Sequence, residues 1–569
     1  MDHQDNISIP ETNLSWNLYG AGYDNLGKLG KPEIAPVAQP DSEQLLVRVD
    51  CVGICYSDVK LLQQGENHPK IKSRNLSDCP ISPGHEVSFT VILVGDSLKD
   101  KFRAGERYVV QPEIVQHNKK LTYGFSFPGG LTQYQLIGSE LLSTDDGVSI
   151  LKIDDSLGYA EACLLEPWGS VLSTYENTRR LEPKPGGNMW IIGNPDIEIE
   201  RDFSKYLDHP EFILISDLPS RLEESILVAN KNVHKQNGIS VSQYKIIVEK
   251  QDPPLKFDDI VIIDPQSAEQ IEILISMINP GGLINLIGNK PLDRPIKLDP
   301  QRIHYDFISI IGNLSSDLAE SYGTDRNRSS LSPKGTAVFY GAGGAMGQIH
   351  VENAIAALDG PEKIVVIDIN QERLDYLEQR FARLAQQQNK SLHTVNPLSS
   401  LKDLTEHIKE LIDQEYANDV VVLVPDTAVF KKAASLLGED SLLNLFAGTP
   451  AGASFPIDIS NVYLGNLQIT GSSGLSFRHI IAAYELAISG KINIAASVVA
   501  VGGMGAALEA IQAVEEGRYP GKIVIYPHLL DLPLTRVKDL SIQYPEMSKV
   551  VDERMIWSKE AEEILLESQ

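Results

Sequence analysis

TAVFYGAGGAMGQIHVENAIAALDGPEKIVVIDINQERL, from Thr336 to Leu374, is the stretch on which the reading of the whole chain turns. A short apolar run, Ala337 to Tyr340, meets a glycine-rich turn, Gly341-Ala342-Gly343-Gly344-Ala345-Met346-Gly347. A helical segment follows to about Leu358, and a second apolar run, Ile364 to Ile367, ends in Asp368. That order is the strand–turn–helix–strand unit of a dinucleotide site. Gly341, Gly343, Gly344 and Gly347, with Met346 among them, let the backbone turn tightly beside a pyrophosphate, whose charge sits on the helix N-terminus. Asp368, about 20 residues after the turn, can accept hydrogen bonds from an adenosine ribose. The register is imperfect, because the first position of the best fit to GxGxxG (342, 344, 347) is Ala342. Both strands and the acid favour a nucleotide site over a merely structural turn.

The chain has 569 residues, enough for about three or four domains with an ample core. A hydrophobic fraction of 42% and a charged fraction of 22% are ordinary for a soluble globular protein. The formal net charge of -27 argues against nucleic acid or an anionic membrane as partner, since both would repel it. No apolar run reaches membrane-spanning length, and the N-terminus lacks a basic region followed by an apolar one. Cys51, Cys55, Cys79 and Cys163 are too few for a disulfide scaffold of this size, so a reducing cytoplasm is expected.

Outward from the central stretch, the fold class is α/β. Residues 1–186 read as a β-rich domain, completed by about 488–540, where Ser497 to Pro527 has the pattern strand, helix, strand. Between them lies a repeat with an offset near 160. Asp258–Asp264 compares with Asn418–Val424, Leu283–Gly288 with Leu442–Ala447, Pro295–Asp299 with Pro456–Ser460, and Ile308–Gly312 with Leu467–Gly471. A constant offset in unchanged order is what duplication of one supersecondary unit produces. The first copy, 187–322, opens with the strand Met189 to Gly193, but its turn is Asn194-Pro195-Asp196, without the later glycines and with an added acid. Asp217 still occupies the acid position. This copy therefore reads as a degenerate nucleotide fold, and 333–487 as the working one, joined by a polar linker from Ser315 to Pro333. Residues 541–569 form a tail, with a charged amphipathic helix expected from Glu546 to Ser568.

The β-rich region carries the chemistry: Gly53-Ile-Cys55-Tyr-Ser57-Asp58, then Pro83-Gly-His85-Glu86, and much later Leu165-Glu166-Pro167. A thiolate, an imidazole and carboxylates suit zinc with an open catalytic position. Taken singly, Cys55 and His85 read as structural residues. With Phe102 to Val109, Gly129 to Tyr134 and the late nucleotide fold, however, the set resembles the medium-chain dehydrogenase/reductase family. It is most similar to the zinc-dependent polyol and sugar-phosphate dehydrogenases. Tyr123 to Gly130, Asn444 to Gly448 and Pro533 to Thr535 lean toward the sorbose-1-phosphate reductase type.

The resemblance implies a GroES-like catalytic domain beside duplicated Rossmann folds and one catalytic zinc. Cys55 and His85 would be ligands, with Glu86 and Glu166 the carboxylates near the metal. Ser57 would bond the substrate hydroxyl and begin proton transfer, and Asp58 would orient His85. Lys60 stands where many relatives have a relay histidine. Cys51, Cys79 and Cys163 are expected to be packing residues. The implied reaction is hydride transfer between a polyol, sugar or sugar phosphate and NAD(H), with zinc acting as Lewis acid on the substrate hydroxyl. Asp368 would clash with a 2'-phosphate, which favours NAD(H) over NADP(H), although Arg373 stands nearby. Two rivals remain: a metal-free reductase of the same superfamily, and a nucleotide-binding regulatory or scaffold protein. For assembly, the two copies could join through 308–312 and 467–471 as an intramolecular pseudo-dimer, or the chain could form an ordinary homodimer.

Overall fold

Thr336–Tyr340 is buried along its whole length and lies at the centre of a six-stranded parallel sheet. Its neighbours are Lys363–Ile367 on one side and Asp419–Val422 on the other. Ser391–Val395 extends the first side, and Leu442–Leu445 and Gln468–Thr470 the second. Such β-branched runs suit strands covered by helices on both faces. The helices Ala345–Ala356 and Gln371–Gln387 supply part of that cover.

The first copy repeats this sheet in the same order: Val233–Lys235, Phe212–Ser216, Asn188–Ile192, Phe257–Ile263, Ile278–Ile287 and Ser309–Asn313. The likeness extends to the segments leading in. Arg180 donates to the Asp259 carboxylate and to Asp258 O, while Arg328 donates to Asp419 and to Asn418 O. Lys184 N and Ser332 N each donate to Oδ2 of the same aspartates. The helix that follows the glycine turn in the second copy has no counterpart among the described residues of the first, where the sequence has Asn194-Pro195-Asp196.

The two copies pack edge to edge. Ile296–Leu298 pairs antiparallel with Phe455–Ile457, and Ser309–Asn313 lies against Gln468–Thr470. One hydrophobic core runs through both, uniting Ile296, Leu298 and Ile303 with Leu445, Phe455 and Ile457. The two six-stranded sheets remain separate across this junction.

The β-rich lobe is built on an eight-stranded sheet. Within it Lys522–Tyr526, from near the end of the chain, pairs antiparallel with Leu45–Ile54, so the N-terminal lobe closes only after both copies are made. The tail differs from the expected single helix. Over the span expected to be helical, Glu546 to Ser568, the described residues have a 3-10 turn at Pro545–Lys549 and a helix at Lys559–Glu567, started by Ser558, whose hydroxyl accepts from Ala561 N. The buried Trp557 lies immediately before that start. Cys51 and Cys163 are buried with their sulfurs 3.7 Å apart, whereas Cys79 is exposed and is not the packing residue expected. No helix among the described residues is long and apolar enough to cross a membrane. The computed structural model describes residues 9–568 except 10, 72–73, 177–178, 197–204, 239, 251–253, 315–316, 400–401, 451, 472 and 552–555. The first two residues of the expected linker therefore lie outside the described part.

Candidate active site

Cys55 leaves the strand Leu45–Ile54 and caps the helix Tyr56–Gln64. Its amide donates to Asp58 Oδ2 at 2.9 Å, and the other oxygen of that fully buried carboxylate accepts from Gly84 N at 3.2 Å. Asp58 thus pins two separate segments together. Gly84, at φ 93, makes the turn that delivers His85 and Glu86 to the start of the next strand. Asp58 Oδ1 also faces His85 Nδ1 at 3.4 Å, and Ser57 Oγ lies 3.2 Å from His85 Nε2. Burial works against a charge on His85, but Asp58 and the Cys55 thiol outweigh it and hold the imidazole well above its ordinary range.

Cys55, His85 and Glu86 each offer a donor atom, and the three atoms lie within 4.8 Å of one another. Glu86 Oε1 receives Lys522 Nζ at 2.5 Å, whereas Oε2 is buried without a hydrogen-bond partner among the described residues. Gly53 makes room for that second oxygen, since a Cβ there would stand 2.1 Å from it. A soft thiolate, an imidazole and an unsatisfied buried carboxylate oxygen form a donor set that fits zinc. Glu166, on the helix Leu165–Thr174, is buried and close enough to interact with His85 and Glu86, but it is not one of the three clustered donors. Burial pushes its carboxyl up to about 7; the charges of His85 and Lys522 oppose the rise and that of Glu86 adds to it. The Phe125 ring stands 5.5 Å from His85, and Lys70 lies over it while pairing with Glu113 at 2.7 Å.

In the glycine turn, Gly341 has φ 74 and a Cβ there would meet Val424 at 2.2 Å. A Cβ on Gly343 would stand 2.8 Å from Asp368 Oδ2, and one on Gly347 would stand 2.3 Å from Ala342 Cα. Gly344 caps the helix Ala345–Ala356 without a side-chain acceptor, so its first amides stay open to an anion. The cradle fits a pyrophosphate. Asp368 is buried, accepting from Gly343 N and Asn370 N at 2.9 Å each. Arg373 packs over Gly343 and donates to Gly517 O at 2.8 Å. Met346 packs into the same apolar cluster as Leu165 and Trp168, beside Glu166.

Sequence reasoning missed the residues that join the two halves. Gln348 donates to Gly343 O and to Pro520 O, two residues before Lys522. A continuous set of contacts thus runs from the glycine turn through Gln348 and Lys522 to Glu86. A lone lysine opening the apolar run Ile523-Val-Ile-Tyr526 was the only signal available in the sequence for this link.

The alcohol dehydrogenase GroES-like domain model matches residues 41–144. Over 538 residues, 92% of this chain and 92% of the relative, the sequence is 32% identical to a mannitol-1-phosphate 5-dehydrogenase of Aliivibrio fischeri. An L-sorbose 1-phosphate reductase of Klebsiella pneumoniae is 23% identical over 93% of this chain and 92% of its own length. In fold, the chain is similar to 2R,3R-butanediol dehydrogenase from Bacillus subtilis, with a TM-score of 0.52 at 14% identity, over 90% of this chain and 99% of that one. The full-length likeness and the GroES-like lobe beside parallel sheets lead to one conclusion: the chain belongs to the medium-chain dehydrogenase/reductase family, as an oxidoreductase of the polyol and alcohol dehydrogenase type.

Proposed function

We propose that the chain transfers a hydride between a secondary hydroxyl of a polyol or sugar phosphate and NAD(H), with one zinc held by Cys55, His85 and a carboxylate of Glu86 or Glu166. The observation that carries this reading is the convergence of Cys55, His85 and Glu86 around a buried Glu86 oxygen that has no hydrogen-bond partner among the described residues. Zinc would supply Lewis acidity to the reacting oxygen. Ser57, held 3.2 Å from His85, would take the hydroxyl proton and pass it toward solvent as the carbinol hydrogen leaves with its electron pair for the nicotinamide. Asp58 keeps the imidazole oriented through Nδ1. Gly341, Gly343, Gly344 and Gly347 would seat the pyrophosphate, and Asp368, beside Arg373, would meet the adenosine ribose, with NAD(H) preferred. The names of the two full-length relatives support a phosphorylated substrate.

The test is zinc quantification with NAD reduction on a panel including mannitol 1-phosphate, for the native protein and Cys55→Ser. The native chain is expected to hold one zinc and turn over. Cys55→Ser is expected to lose the metal and about 10³-fold in kcat/KM. Full turnover without metal would overturn the assignment in favour of the metal-free reductase.

For assembly we propose that the first copy fills, within one chain, the edge position that a second subunit would otherwise take. The strand pair 296–298 with 455–457 and the shared core support this reading.

A further inference from the structure

Residues 300–305 belong to the first copy by sequence, yet they sit against the second. The helix Pro300–His304 packs on Leu442–Leu445 and Gln468–Thr470. His304 is buried, and its Nδ1 lies 3.2 Å from Leu445 O. A carbonyl can only accept, so Nδ1 carries the proton and Nε2 is left with its lone pair. Burial, with the charge of Lys60 adding to it, holds this imidazole down to about 4, and it is neutral. Lys60 lies five residues after Cys55, on the helix Tyr56–Gln64. His304 therefore lies at the C-terminal end of the strand Leu442–Leu445, within reach of the charge that the helix Tyr56–Gln64 carries at Lys60.

Tyr305 carries the contact further. Its ring meets that of His304 edge-on at 4.5 Å, and its hydroxyl reaches Gly448, just past the strand end. A Cβ on Gly448 would stand 2.0 Å from the phenol oxygen. Gly448 is not among the positive-φ glycines, so its backbone does not demand glycine; the phenol does. Tyr305 is nevertheless 40% exposed, as a group at the rim of a cleft would be. In open parallel sheets ligands bind in the crevice outside the carboxyl ends of the strands. Leu442–Leu445 is two strands from Thr336–Tyr340, on the side of the sheet where the order reverses.

We propose that Tyr305, lent by the degenerate copy and positioned by His304, is a specificity-determining residue of the hydride-transfer cleft, its phenol hydroxyl bonding a hydroxyl of the bound polyol. This rests on the function proposed above. The reciprocal reach, Tyr463 with its hydroxyl on Lys290 O at 2.6 Å, points at the end of the degenerate sheet and serves as the control.

The experiment compares the zinc-loaded native chain with Tyr305→Phe, Tyr305→Ala and Tyr463→Phe, using mannitol 1-phosphate with NAD and, separately, NADH emission on binding. Tyr305→Phe is expected to raise the KM for the polyol phosphate about fivefold to tenfold, the loss of one hydrogen bond, with kcat and thermal midpoint nearly unchanged. Tyr463→Phe should leave both kinetic constants in place. Tyr305→Ala should also alter the emission of bound NADH by opening the nicotinamide side of the cleft to water. That second readout needs no turnover, so it separates a wrong substrate class from a wrong wall. Unchanged KM together with unchanged NADH emission and affinity in both Tyr305 variants would overturn the proposal. An altered emission in a chain that oxidises no polyol would retain the wall and remove the substrate class.

Discussion

Lys522 has 3% of its side chain exposed and its ammonium 2.5 Å from the Glu86 carboxylate, which is itself fully buried. Removing one member of a buried pair leaves the other charge without compensation, typically at a cost of about 3–5 kcal/mol. Lys522→Met is therefore expected to destabilise the metal-free protein by that order in urea unfolding. The double variant Lys522→Met/Glu86→Gln should recover a large part of the loss. Equal losses in the two proteins would show that the lysine acts through packing alone. This pairing spans 436 positions in sequence. Cys55, Ser57, His85 and Glu166 stood out in the sequence only as a set, through its resemblance to a known family, since Cys55 and His85 taken singly read as structural. The structure gathers Cys55 and His85 with Glu86. Lys522 did not stand out, because one charge at the mouth of an apolar strand reads as an exposed edge, and only the antiparallel pairing with 52–54 brings it inside.

At the level of the element, the glycine turn was readable because its requirements are local. A methyl group at 343 would strike Asp368 at 2.8 Å, so Gly343→Ala should shift the acid and the turn together. We expect NADH affinity to fall at least about tenfold in a fluorescence titration while the thermal midpoint changes little; unaltered affinity would separate the turn from the cofactor. The tail helix was harder to read. Glu562 on that helix is buried, accepts from Tyr159 N and Ala160 N at 2.5 and 2.8 Å, and takes the Tyr526 hydroxyl at 2.7 Å. It thereby clamps the N-terminus of Tyr159–Cys163, the helix just ahead of Glu166. Burial outweighs those donors and pushes its carboxyl up to about 7. The folded chain then keeps a proton that the unfolded chain has released between the ordinary carboxyl range and 7, so this group's contribution falls as pH rises through that window. The thermal midpoint of the native protein should drop more between pH 5 and 7.5 than that of Glu562→Gln; parallel profiles would exclude the clamp as the cause. A sequence shows an amphipathic helix here, but not the acceptor role of one carboxylate at a distant helix end.

For the molecule as a whole, the constant offset near 160 exposed the duplication, since both copies kept the hydrophobic runs that their sheets bury. The edges at 308–312 and 467–471 were expected to meet, and Ser309–Asn313 does lie against Gln468–Thr470, but the sheets stay separate. The ladder of 296–298 with 455–457 was not foreseen, because pairing between two short segments so far apart in sequence leaves no local signal. With that edge occupied from within, the chain is expected to sediment as a single 62.6 kDa particle. A species of twice that mass at micromolar concentration would count against internal pairing.

The ladder between 296–298 and 455–457 joins two halves that a peptide chain already connects. Dilution cannot part them, because their local concentration is fixed by the tether and not by the amount of protein in the tube. Specific activity should therefore hold constant from micromolar enzyme down to the picomolar range, where a cleft shared between separate subunits would fall apart and go silent.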